Sequence, residues 1–137
     1  MGPELRLGII IVAVCDLPRS VSFYRAAFGW EQTVDESVYA EFKISTEQRF
    51  GLYRREGFGR CTGKMPAVVP EGELAGTELY FVSDELEGAI VRLETAGARR
   101  LSPLQARGWG DEAAYFADPD GNVLVLARTM TKGLVGS

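Results

Sequence analysis

The sequence contains no histidine. That excludes Ser-His-Asp and Cys-His nucleophilic machinery, and it removes the side chain that most often acts as general base at neutral pH. It also removes the imidazole on which zinc, nickel and iron sites ordinarily depend. Cysteine is scarce, with only Cys15 and Cys61. That is no disulfide framework, so a reduced, cytoplasmic setting is expected. Cys15 closes an apolar run and is expected to be packed rather than reactive. Positive charge is in deficit, 15 Lys and Arg against 19 Asp and Glu, for a net charge of −4. The basic face that phosphate neutralisation requires is missing, so nucleic acid is not expected as a partner. Long apolar runs are missing too, and none approaches the ~20 residues of a membrane helix. The apolar LGIIIVAVC, Leu7 to Cys15, follows Glu4 and Arg6 and is cut off by Asp16 and Pro18. Val14 is not the small residue a lipoprotein cleavage site wants, so neither export nor a membrane anchor is expected.

What is present fits one globular domain. The 137 residues are 46% hydrophobic and 25% charged, enough for a real core under a soluble surface. Leu7 to Val14 reads as a buried strand, short and β-branched. Asp16 can cap a following helix with Pro18 in its first turn. Leu17, Val21, Tyr24 and Phe28 then form one apolar stripe, and Gly29 stops it. Tyr39 to Ile44 and Arg49 to Arg54 read as two strands joined by STEQ. Glu56 to Gly76 is rich in Gly and Pro and reads as a linker.

The pattern then returns. Glu78 to Val82 reads as a strand, and Leu86, Ile90 and Leu93 form a second helical stripe that ends at Ala96 to Ala98. Leu17, Val21 and Tyr24 align with Leu86, Ile90 and Leu93 at a constant offset of 69 positions, about half the chain. Such a repeat implies two similar modules, one over about 5–55 and one over 77–130, joined by a linker over 56–76, within a single domain covering 1–137. The second module ends in AAYFA-DPDGN-VLVLA. Pro119 suits the second position of a type I turn and Gly121 the left-handed position that closes it. Turn chemistry accounts for Asp118 and Asp120 without a catalytic role. The flanks are apolar on both faces, unlike an ordinary surface hairpin.

Other apparent motifs fail. In GFGRCTGK, Gly57 to Lys64, Phe58 stands where a phosphate loop needs its first glycine, and Met65 replaces the Ser or Thr. The segment is expected to be a mobile loop. Asp84-Glu85 reads as a helix start and Asp111-Glu112 as a solvated loop, because acid–base work needs carboxylates gathered in a pocket.

The two βαβββ modules, the phrase VCDLPRSVSFYRAAFGW and the phrase YFADPDGNVLVLA together resemble the glyoxalase/bleomycin resistance protein/dioxygenase family, the vicinal oxygen chelate superfamily. The resemblance spans roughly Leu7 to Arg128. It implies an α+β fold in which the two modules form a curved, partly closed mixed sheet of half barrels. Helices cover the convex face and the concave face lines a cavity, which would account for a last strand apolar on both sides. Metal-dependent members place a ligand on each of four strands, and the matching positions here are Ile9, Gly51, Glu78 and Val125. Only Glu78 can bind a metal, and one carboxylate cannot hold a catalytic divalent ion. No metal or other cofactor is therefore expected.

If those positions face inward, alternation turns Ile11, Ala13, Tyr80, Val82, Arg49, Tyr53, Val123 and Ala127 inward as well. Trp109, in GWG, falls where family members often place a residue at the cavity mouth. The expected ligand site comprises Ile11, Arg49, Tyr53, Glu78, Tyr80, Trp109 and Val125, an apolar and aromatic surface with one acid. The first expectation is a metal-independent binding protein that sequesters an aromatic or cationic small molecule, such as a drug or antibiotic. The alternative is a small lyase, isomerase or dioxygenase-type enzyme of the same superfamily. It would be metal-independent with Glu78 as general acid or base, or metal-dependent with other ligands. A bland reading has Glu78 pairing with Arg49 instead. An open edge strand also suggests a homodimer.

Overall fold

Two strand–helix–strand–strand–strand runs follow one another in the computed structural model, which describes residues 4–130. The first comprises β1 (Ile9–Val14), α1 (Leu17–Phe28), β2 (Glu31–Asp35), β3 (Tyr39–Lys43) and β4 (Arg49–Arg54). A short helix, α2 (Arg55–Thr62), follows. The second comprises β5 (Glu78–Val82), α3 (Leu86–Ala96), β6 (Arg99–Ala106), β7 (Asp111–Ala117) and β8 (Val123–Thr129). Each run makes a four-stranded sheet with the same order, β1-β4-β3-β2 and β5-β8-β7-β6, and in each the first and last strands pair in parallel. The chain divides into two compact units. The first runs to Val68 apart from Ala26–Phe28, and the second takes those three residues and the described chain from Val69 onward. No described helix is long and apolar enough to cross a membrane.

The local signals act as their chemistry dictates. Asp16 accepts a hydrogen bond from the Arg19 amide at 3.1 Å and so caps α1, which ends at Gly29 in the left-handed conformation. The buried face of α1 centres on Leu17, Ser20, Tyr24 and Ala27, while Val21 and Phe28 sit half-buried on its margin. In the first unit the Tyr24 ring lies 4.9 Å from Phe50 and stacks on Trp30. In the second, α3 lies against β8 and buries Leu86, Ile90 and Leu93. Each such side chain contributes about 1.5–3 kcal/mol, far more than helix propensity does.

The hairpin of the second unit carries the sharpest expectation, and its strand is buried on both faces throughout Val123 to Ala127. Its turn is saturated. Asp118, 6% exposed, takes the amides of Asp120 and Asn122 on Oδ1, both at 2.9 Å, and the Asn122 side-chain amide on Oδ2 at 3.0 Å. The Thr77 hydroxyl donates to Oδ1 of the Asn122 side chain. Both carboxylate oxygens of Asp118 are engaged in holding the turn.

Three expectations are corrected. Gly57 to Thr62, read as loop, lies in α2, where the glycines admit a close side-chain approach described below. Asp111 and Glu112, read as a solvated loop, open strand β7 and are half-buried, because their backbone pairs with Thr129 and Arg128. Cys15, read as packed, is exposed at the end of β1.

Candidate functional site

Alternation gives each sheet two faces, with successive side chains on opposite sides. In the second unit, register places Tyr80 beside Val125 and Tyr115, and Val82 beside Ala127 and Ala113. The face opposite Leu124 and Leu126 therefore has a floor of Ala113, Val123, Val125 and Ala127, with Tyr115 packed against it. Val125 is 0% exposed in that floor. Beside it, on the neighbouring strand β5, stand Glu78, Tyr80 and Val82, all exposed.

At one end of this face three side chains are joined. Trp109 donates its indole N–H to the Tyr80 hydroxyl at 2.8 Å, and Tyr80 donates to Asp111 Oδ2 at 2.5 Å. Partial burial, and then the bond to Asp111, push the Tyr80 hydroxyl above its ordinary range, so the phenol stays protonated and donating. Trp109 is 58% exposed, so its ring faces remain open while its edge is pinned. Glu78 is at the opposite end, since it pairs with Val123 at the start of β8 whereas Asp111 pairs with Thr129 at its end. Arg107 lies over the Tyr115 ring, 4.9 Å from its centroid, and donates to the carbonyls of Ala113 and Pro103.

The first unit carries a second cluster, on the face that Tyr39, Glu41, Arg49, Gly51 and Tyr53 share. Tyr39 donates to Glu41 Oε1 at 2.9 Å, and the Arg49 guanidinium lies 3.4 Å from Glu41 Oε2. The Glu41 side chain is only 13% exposed, and a carboxylate so covered needs these partners. Gly51 makes the cluster possible, because a Cβ there would stand 2.4 Å from the Tyr39 hydroxyl oxygen. Tyr53 packs at 5.1 Å, edge to face, on Tyr39 and against Gly57 of α2, with its hydroxyl 3.4 Å from Cys61 Sγ.

Burial, reinforced by the bond to Glu41, raises the Tyr39 hydroxyl above its ordinary value near 10. A folded-state value above the unfolded one stabilises fully below about pH 10, and the contribution is lost as pH rises through the folded value. Tyr39→Phe is therefore expected to shallow the alkaline fall in stability, read as the urea midpoint between about pH 9 and pH 11. An unchanged alkaline slope would count against the Tyr39–Glu41 bond.

Of the residues singled out from sequence, Tyr80 and Trp109 are brought into one network, and Arg49 and Tyr53 each join the Tyr39 cluster. Ile11 is partly exposed beside Gly51 in register. Arg49 takes Glu41 as an ion-pair partner. Asp111, Glu41 and Tyr39 were not anticipated. YAEFK does alternate, with Ala40 and Phe42 fully buried, so the pattern held a signal for Tyr39 and Glu41 sharing the other face.

The donor set does not fit the divalent ion of metal-dependent relatives. In the first unit Ile9 and Gly51 offer no ligand atom, and the Tyr39 hydroxyl occupies the space a side chain at Gly51 would need. In the second, Val125 lies in the apolar floor and leaves Glu78 alone. Among the described residues no group of three or more His, Cys, Asp or Glu could hold a metal ion.

Comparison with known proteins gives a consistent answer. The family model described as Glyoxalase/Bleomycin resistance protein/Dioxygenase superfamily matches residues 6–126. The anthracycline biosynthesis protein DnrV of Streptomyces peucetius is 29% identical over 127 residues, 82% of this chain, which spans only 43% of that relative's length. A glyoxalase-related enzyme from Fulvimarina pelagi superposes with a TM-score of 0.80 at 21% identity, over 90% of this chain and 88% of that one. A glyoxalase/bleomycin resistance protein/dioxygenase from Nocardioides does so with a TM-score of 0.80 at 20% identity, over 97% and 89%.

Proposed function

The chain belongs to the glyoxalase/bleomycin resistance protein/dioxygenase superfamily, and from that premise we propose that it holds an aromatic or cationic small molecule without a metal and without turning it over. The observation that carries the reading lies at one end of the second sheet. There an exposed indole, a phenol and a carboxylate are joined in one hydrogen-bonded chain beside a buried cluster of Val and Ala. A mostly apolar wall with a few fixed polar groups is the usual make-up of a small-molecule site. A ring system can stack on Trp109 while the hydrogen bond keeps the indole from rotating away. The relative named for anthracycline biosynthesis suggests an anthracycline as a first probe. Sequestration of a drug or antibiotic is the biological form this binding would take.

Titration with an anthracycline is expected to quench tryptophan emission in a saturable way, with the compound recovered unchanged. Product accumulating in proportion to time, at protein far below compound, would overturn the reading in favour of an enzyme. Glu78 supports that second reading, because its exposed carboxylate stands on the same face as Tyr80 and is available for proton transfer. If turnover is found, Glu78→Gln is expected to lower it at least tenfold while affinity stays within about twofold. An unchanged rate would reject Glu78 as the acid or base.

A further inference from the structure

The charge on Asp111 is fixed in place without being neutralised. Its Oδ2 accepts from the Tyr80 hydroxyl at 2.5 Å, and Tyr80 in turn accepts from Trp109. Both partners are uncharged, so the network orients the carboxylate and leaves its full negative charge on the face. Among the described residues Asp111 forms no ion pair. The cation of the same hairpin, Arg107, is turned onto the Tyr115 ring, the carbonyls of Ala113 and Pro103 and the Ser102 hydroxyl. Arg128, from the end of β8, is held between Glu87 and Glu112. Glu112, next to Asp111 in the strand, points to the opposite face and takes that arginine.

An unneutralised carboxylate beside an open indole is a pairing that serves a particular chemistry. A neutral planar ligand gains only the stack on Trp109. A planar ligand bearing a protonated amine or ring nitrogen gains the stack, the attraction of the ring quadrupole for its charge, and the Asp111 carboxylate. We propose that this face selects planar organic cations, with Asp111 as counter-ion, Tyr80 as the residue that positions it and Trp109 as the stacking platform. The inference rests on the binding reading above and names its ligand class.

The test compares two probes with the same tricyclic core on the full chain by calorimetry at neutral pH: proflavine, a cation there, and acridine, which is uncharged. Proflavine is expected to bind about tenfold more tightly. Asp111→Asn is expected to cut that preference to the roughly twofold one that the Trp109 ring alone supplies, while leaving acridine affinity unchanged. Equal affinities in the native chain would overturn the charge selectivity, as would a preference undiminished in Asp111→Asn. Failure of both probes to bind would instead overturn the binding reading itself. Should Asp111→Asn not fold, the native chain still decides the matter. A preference for proflavine that shrinks as ionic strength rises supports a counter-ion close to the surface, and a preference indifferent to salt overturns it.

Discussion

Gly121→Ala is expected to remove roughly 3 kcal/mol of stability, while Gly29→Ala removes only about 1 kcal/mol, although both glycines are left-handed. Gly29 has φ 67° and open space where a Cβ would go, so a side chain there meets backbone strain alone. Gly121 has φ 87°, and a Cβ would stand 2.6 Å from the Glu73 carbonyl oxygen. That oxygen is backbone and cannot swing aside. The segment carrying it is tied to the turn by the Ala75 amide, which donates to the Gly121 carbonyl at 2.8 Å. Relieving the clash therefore breaks a further bond worth about 0.5–1.5 kcal/mol. Urea unfolding of the two variants reads the difference directly. Equal losses would mean that the Glu73–Ala75 segment does not rest on the hairpin turn.

The same turn marks how far sequence reasoning reached. DPDGN is local chemistry, each residue acting on a neighbour two to four positions away, so a reader of the chain can place it. β8 was legible for a related reason, since five consecutive apolar residues leave no polar face to expose. Asp111 was hidden because a Gly-Trp-Gly-Asp-Glu run has loop composition. Only pairing with Thr129 and Arg128, across the hairpin, makes it strand. α2 was hidden because two glycines each cost a helix about 1 kcal/mol. Gly57 is retained there because the Tyr53 ring occupies the place of its missing side chain, at 2.4 Å from where a Cβ would sit. Packing thus outweighs propensity. β2, EQTVD, has no apolar run to announce it and exists as an edge strand because β3 offers it a partner. The candidate site shows the same division. Tyr80 and Trp109 could be nominated from alternation and family resemblance, but the acid that joins them could not, because its distance from Tyr80 is fixed by the path of β7.

Trp109→Ala is expected to weaken binding of planar ligands by roughly 10- to 100-fold while leaving stability within about 0.5 kcal/mol. A ring stacked on an aromatic side chain is worth about 1–3 kcal/mol, which converts to that range. The indole is 58% exposed and its one hydrogen bond goes to a hydroxyl that keeps Asp111 as a partner, so its loss leaves no buried group unsatisfied. This separation of effects distinguishes a ligand platform from a core residue, because a tryptophan that served packing would reverse it, with a large stability loss. Trp109→Phe divides the platform further. It keeps a stacking face and loses the N–H that pins it, so affinity is expected to fall between the native chain and the alanine variant. Affinity in Trp109→Phe as low as in Trp109→Ala would mean that the tether to Tyr80, rather than the ring, carries the site.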